Sequence, residues 1–508
     1  MKREVPWAAL AGIGVATLLA VIFSGGDLIA AAAPVVTVAL LYAEWRAPLR
    51  VSALGLFFLS LIADAPQDNP MGGYWHSPLY ALGELLCSNW SNAFGISVLP
   101  FTGIQLLCAL LLLRIVIRRL SGNAPAGPRT APVLQHSMAI FLVAMVALAL
   151  LGAARSGQMG TAYWQVRQFV CIPFFAFVLA EALEGPRDHL LLAPLVLAAA
   201  LIKTAVGMYF YLAIALPQGL NPPCITSHAD TLLYCLALTL VGLRWVEHPD
   251  WPALRRMLWY APLVMAAVWF NNRRIAYVGL AAVFITVWLL TPWSSAKRTV
   301  ARLGLLALPL LAVVVAIDWR SPDPFLKPVA SIRTMIVARD AARSAADAST
   351  LSRDIENFNL AQTLRMHPLG TGLGHGYEEV VKGPDISEDF ALYRYIPHNS
   401  VLWMLTMAGP VGFFLLWSMF WVGIYLAARA LRLARTPDDR VAALAAICAQ
   451  LLFLIQAFGD MGTQNWSTTW LVAAALAVAG RLAVSTGAWP APATQPAFTL
   501  EPAWNLNR

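Results

Sequence analysis

The sequence predicts an all-α polytopic membrane protein: a bundle of about 12–14 transmembrane helices with one large, partly helical external loop. Three observations carry this. Of 508 residues, 59% are hydrophobic and 12% charged, whereas a soluble domain carries about 25% charge. Apolar runs recur along nearly the whole chain. Basic residues gather in alternate loops between them.

The apolar runs fall at 6–23, 28–44, 51–63, 101–117, 137–153, 168–184, 190–216, 229–243, 257–270, 275–291, 302–317, 400–427, 441–457 and 467–484. All must be helical, since lipid offers no partner to open backbone groups. Several are shorter than the roughly 20 residues a bilayer asks for, so one or two re-enter or merge. Met1–Phe23 has Lys2 and Arg3 ahead of an apolar stretch. No small-x-small cleavage site follows, and the segment reads as a retained first helix. Residues 1–484 form one membrane domain without the internal period of a transporter repeat. Residues 485–508, rich in Pro and Ala, read as a disordered cytoplasmic tail.

With the N-terminus inside, the basic loops all fall on the cytoplasmic side. They hold Arg46 and Arg50; Arg114, Arg118, Arg119 and Arg129; Arg187; Arg244, Arg255 and Arg256; Lys297, Arg298 and Arg302; and Arg429, Arg432, Arg435 and Arg440. Segments 64–100, 154–167, 217–228, 271–274, 318–399 and 458–466 then lie outside. Arg155, Arg167 and the pair Arg273–Arg274 stand on the side that the rule disfavours. Snorkelling to headgroups is one explanation, and phosphate binding is the other. The net charge of +8 comes from 30 Arg against 5 Lys. A GC-rich genome accounts for that bias, and so does guanidinium's bidentate fit to phosphate. The basic residues flank apolar spans and not one soluble face, which excludes nucleic acid. Six cysteines without a Cys-x-x-Cys pair imply neither a disulfide framework nor a zinc site.

The external segment 318–399 is the one sizeable hydrophilic stretch. Helices are expected over Ser331–Ala346 and over Ser352–Met366. The second carries Ile355, Phe358, Ala361 and Leu364 at helical spacing, as a surface over the membrane entrance or a packing face. His367-Pro368 stops it. Gly370-Thr371-Gly372-Leu373-Gly374-His375-Gly376 follows, permitting positive φ and close backbone approach. Its spacing is not a dinucleotide fingerprint. The segment ends at Pro397, His398 and Asn399, at the mouth of the next span. Deep in another span lies Lys203, and buried membrane charges are costly enough to be functional candidates. Asp460 closes a span on the external side, where an ion pair or a helix cap explains it.

His398-Asn399, nine residues, Gly409, two residues and Gly412 resemble the signature of the O-antigen ligase and O-antigen polymerase family. His367-Pro368-Leu369-Gly370-Thr371-Gly372-Leu373-Gly374 resembles that family's glycine segment, and Arg274-x-Ala276 its Ser-Arg-x-Ala element, with Asn272 and Arg273 where Ser is commoner. The three elements keep the family's order and cover about 255–430, the ligase-like core. The resemblance implies a GT-C-like bacterial inner-membrane glycosyltransferase with a periplasmic active face. Such enzymes take a glycan from undecaprenyl pyrophosphate and pass it to a saccharide acceptor: lipid A core for ligases, a growing polysaccharide chain for polymerases. Ligase and polymerase stay open. The lipid bilayer and polysaccharide-assembly proteins are the other expected partners.

In that reaction an acceptor hydroxyl loses a proton while pyrophosphate departs with growing negative charge. By resemblance, His398 is the general base or acceptor-orienting group, and Arg274 stabilises the leaving group. Arg273, Arg167 and Arg394 are further guanidinium forks for phosphate. Asn399 and Lys203 complete the expected substrate-binding set. No external loop carries Asp-x-Asp, and the resemblance implies a metal-independent, inverting transferase without cofactor. A transporter or flippase of lipid-linked saccharides is the competing expectation. It calls for basic residues through the midplane, where only Lys203 lies deep.

Overall fold

The computed structural model describes residues 28–66, 75–89, 100–122, 129–220, 222, 224–320, 329, 345–383, 385–387 and 390–489. Among these no strand forms; the sole extended pairing is a bridge between Asn89 and Thr102. The first apolar run, the expected helix over Ser331–Ala346 apart from its last two residues, and the tail from residue 490 lie outside the described residues.

Every other apolar run coincides with a helix. In order these are α1 (Leu28–Arg46), α2 (Leu49–Ile62), α3 (Tyr80–Cys87), α4 (Gly103–Leu120), α5 (Pro132–Ala154), α6 (Met159–Val166) and α7 (Cys171–Ala182). They continue with α8 (Leu192–Tyr209), α9 (Asp230–Glu247), α10 (Trp251–Phe270), α11 (Arg274–Leu290) and α12 (Ser295–Arg320). Last come α13 (Ala345–Met366), α14 (Ser400–Leu433), α15 (Pro437–Gly459) and α16 (Trp466–Ser485). Among the described residues, six helical stretches are long and apolar enough to cross a membrane: α5, Asp188–Ala215 around α8, α12, α14, α15 and α16. Counting α6 and α7, bent by 45°, as one broken span makes seven. Of the remaining helices α13 is hydrophilic along its length, and the others are shorter or carry charges at their ends.

Helix starts are locally encoded. Thr102 and Gln105 form a reciprocal capping box on α4. Asp250, Asn399, Thr436 and Asn465 cap α10, α14, α15 and α16. The core centres on α16, whose span is 89% buried. There Trp470 stacks on Phe175 at 4.0 Å between centroids. By contrast, the apolar window of α12 is 0% buried. Its leucines face outward all round, as a helix suited to lipid contact would.

One end of the bundle is laced with ion pairs. Arg50 meets Asp188 at 3.0 Å, Arg119 meets Glu181 at 2.9 Å, and Arg440 meets Glu247 at 2.7 Å. Arg118 pairs with Glu184 and Arg244 with Asp438. These are the loops that the sequence marks as basic. The glycine run, His398 and Arg273 gather at the opposite helix ends.

Candidate functional site

The glycine run sets the floor of this second end. Pro410 has no N–H, so the Thr406 carbonyl loses its helical donor. Gly409 (φ +64°, ψ 175°) breaks α14 at the same point. The run fills the gap: Thr371 N–H donates to Thr406 at 3.3 Å, and Gly372 N–H to Met407 at 3.0 Å. On its other side Leu373 N–H donates to Leu148 of α5 at 3.1 Å. Gly374 N–H donates to the side chain of Gln165 at 2.6 Å. Gly370, Gly372 and Gly374 all have φ above +80°. A Cβ on Gly372 would stand 2.4 Å from the Gly152 nitrogen. Glycine is therefore required for the left-handed backbone and for the close approach. Arg155 donates to the Gly370 carbonyl; it clamps this loop and is not spent on headgroups.

α13 then lies across α14. Of the two readings of the apolar stripe, a surface and a packing face, Phe358 follows the first, being 44% exposed, while Ile355, Ala361 and Leu364 are half-buried. The buried stripe is Glu356, Asn359, Leu360 and Thr363. Its polar groups are satisfied. Asn359 bonds both the N–H and the C=O of Val381, and Thr363 accepts from Glu378 N–H at 2.8 Å. Glu356 holds His398 twice, accepting from its backbone N–H at 3.1 Å and facing its Nδ1 at 3.2 Å. The carboxylate thus fixes the imidazole and favours the tautomer with the proton on Nδ1, leaving Nε2 as an acceptor.

A second imidazole, His228, lies at the same end of the bundle. Asn271, buried at the end of α10, accepts from Thr226 N–H at 3.1 Å and donates to the Ser227 carbonyl at 3.3 Å. This staples segment 224–229 to the α10–α11 turn. Asn272 turns through φ +54°, a conformation Asn tolerates better than most residues. Arg273 then precedes α11, its guanidinium 3.8 Å from the Cys224 sulfur. His228 points its Nδ1 at Asp460 of the α15 terminus, 3.8 Å away. Arg353 of α13 donates to the Gly459 carbonyl at 2.9 Å, where a cation meets the negative end of α15.

The charges of these groups act on one another. The protein packed around it holds His228 below the ordinary imidazole range. The positive charges of Arg273 and Arg353 add to this, and Asp460 opposes them. Burial likewise pushes the Cys224 thiol up while Arg273 draws it down. The Nε of both Arg273 and Arg353 is buried without a hydrogen-bond partner. Two imidazoles that each face a carboxylate, and two arginines whose Nε is enclosed, therefore lie at this end of the bundle.

The expected site residues divide. Arg273 and His398 come together here, and Arg274 opens α11 beside them, half-buried. Asn399 caps α14 by accepting from Leu402 N–H at 3.0 Å, and donates to Asn357 at 3.0 Å. Arg394 lies 3.7 Å from Glu379 on the surface of the loop. Arg167 sits apart: it bonds Asn89 and stacks over Trp164 and Trp466 at 4.5 and 5.7 Å. Lys203 is fully buried and binds Asp64 directly, with Asp230 3.4 Å away. The residues that sequence reasoning missed are Glu356, Arg353 and His228. The acid of α13 that faces His398 is separated from it by 42 positions. Only the polar character of the stripe Glu356–Asn359–Thr363 hinted at a face with partners. Compared with models of known protein families and with curated proteins, the chain matches none.

Proposed function

We propose that the chain is an inner-membrane glycosyltransferase of the O-antigen ligase and polymerase kind. It transfers a glycan from undecaprenyl pyrophosphate to a sugar hydroxyl on the periplasmic side. The observation that carries this reading is the pairing of His398 with Glu356, a carboxylate-oriented imidazole, at the end of the bundle that also holds the half-buried Arg273 and Arg353. It lies at the end of the bundle away from the basic loops. The finer topology, 12–14 spans with both termini in the cytoplasm, belongs to the same proposal.

The chemistry follows. His398 Nε2 accepts the proton of the acceptor hydroxyl as its oxygen bonds to the anomeric carbon. The bond from that carbon to the pyrophosphate oxygen breaks, and its electron pair leaves with the phosphate. Arg273 and Arg353, with Arg274 beside them, take up that charge without reorganising. Glu356 is a positioning residue. Lys203 is spent on Asp64 and Asp230, which weighs against a flippase whose cationic path would cross the midplane. Purified protein given a lipid-pyrophosphate glycan and candidate sugar acceptors should form the glycosidic product. Absence of transfer to lipid A core and to polysaccharide ends alike would remove this reading.

A further inference from the structure

Gln165, near the end of α6, is fully enclosed, with 0% of its surface exposed. Both polar atoms of its side chain are engaged. Nε2 donates to the His375 carbonyl at 2.9 Å and to the Tyr395 carbonyl at 3.1 Å. Oε1 accepts from Gly374 N–H at 2.6 Å. The Gln165 backbone carbonyl accepts from the side chain of Gln464, in the turn between α15 and α16. One amide therefore joins the glycine run to the segment that ends in His398. Thr463, beside Gln464, donates its hydroxyl to that of Ser400 at 3.1 Å, where α14 begins.

We propose, resting on the transferase reading above, that Gln165 is a positioning residue that holds His398 in place over the glycine run. The chain entering α14 is fixed at two points. Gln165 fixes the Tyr395 carbonyl, and Glu356 fixes the His398 N–H and faces its ring. Glu356 sets how the ring turns, and Gln165 sets where its segment stands. A general base must lie within hydrogen-bond reach of the proton it takes. A displacement of about 1 Å can cost about 100-fold in rate. Glutamine suits this place for a chemical reason. Its amide offers two N–H donors and an acceptor, and here each has a partner. A carboxylate of the same shape offers acceptors alone, and would face two carbonyl oxygens. A thioether of the same length supplies neither the donors nor a comparable acceptor. Burial makes those losses count, since an enclosed carbonyl left unpaired is costly. No bond is made or broken at Gln165, and it takes no proton.

The test uses the full-length protein in detergent and two readouts. The first is transfer from a lipid-pyrophosphate glycan to a sugar acceptor, counted per folded molecule. Gln165→Glu should lower kcat by about 100-fold, with KM for the donor near its wild-type value. Gln165→Met brings no charge inside and should do the same, which decides the matter where the Glu variant fails to fold. Gln450 on α15 is equally enclosed. Gln450→Glu should therefore lower the melting temperature and leave turnover per folded molecule intact. The second readout is the Nδ1–H resonance of His398 in protein with isotope-labelled histidine, identified by its loss in His398→Gln. It should shift or broaden in both Gln165 variants and stay in place in Gln450→Glu. Wild-type kcat in Gln165→Met, an equal loss of kcat in Gln450→Glu, or a His398 resonance that is missing from wild type or unmoved in the Gln165 variants each overturns this inference. Absence of product from wild type overturns the transferase reading beneath it, and the resonance then decides the placement of His398 by itself.

Discussion

Arginines serve the two ends of this bundle in opposite ways. At the basic end Arg50, Arg119, Arg244 and Arg440 each meet a carboxylate on another helix. At the recess Arg273 contacts a sulfur and Arg353 a helix carbonyl, and each keeps a buried Nε unpaired. The nearest recess acids are directed elsewhere, Glu356 at His398 and Asp460 at His228. The first set closes its charges on itself and fixes helix positions. The second stays positive, which suits an anion that comes and goes.

That contrast can be broken experimentally, and His398→Ala is the sharpest cut. Transfer should fall by about 10²–10⁴-fold, the usual range for a lost general base, with the protein still folded in the membrane. Glu356→Gln should cause a smaller loss, because the ring remains but its orientation is no longer enforced. Wild-type turnover in either variant would take the imidazole out of the mechanism. Next comes the floor of the recess. Gly372→Ala forces a left-handed backbone onto a residue with a Cβ, costing about 1–3 kcal/mol before the clash with Gly152 is counted. A lowered melting temperature together with lost transfer is the expected result, and an unchanged melt would show that the loop is not seated as described.

Arg273→Lys keeps charge and loses the fork. Donor turnover should drop about 10–100-fold, the worth of one charged hydrogen bond, with little change in stability. The matching substitution at the other end, Arg244→Lys, should leave turnover intact and shift stability by no more than about 1 kcal/mol, as for an exposed pair. Similar effects from the two substitutions would erase the distinction between the ends.

Much of the framework was legible in the sequence, because a helix in lipid must announce itself by length and apolarity. Each described apolar run became a helix. The glycine run was legible as a place of close approach, though not what it approaches. Arg273 and His398 were legible as candidates, the one a basic residue on the side that charge bias disfavours, the other at the mouth of a span. Glu356, Arg353 and His228 were not, because their meaning arises when α13, α15 and segment 224–229 meet, and no local pattern encodes that meeting. The spacing of Phe358 left a surface and a packing face both open on α13, and hydrogen-bond satisfaction on Asn359 and Thr363 set the packed face elsewhere. Arg167 was singled out by standing on the side that charge bias disfavours, and Lys203 by the cost of burying it. The structure sets tryptophan faces around the one and two aspartates beside the other.

The break in α14 bears on how a cell builds this protein. The carbonyls of Thr406 and Met407 receive their partners from residues synthesised some three dozen positions earlier, and α5 emerges from the ribosome long before either. The glycine segment must therefore wait, unseated, until the helix behind it has been threaded into the bilayer. Seating of the glycine segment is tied to that late event, so a chain truncated before Gly409 would have α1 to α13 and no partner for the N–H groups of Thr371 and Gly372.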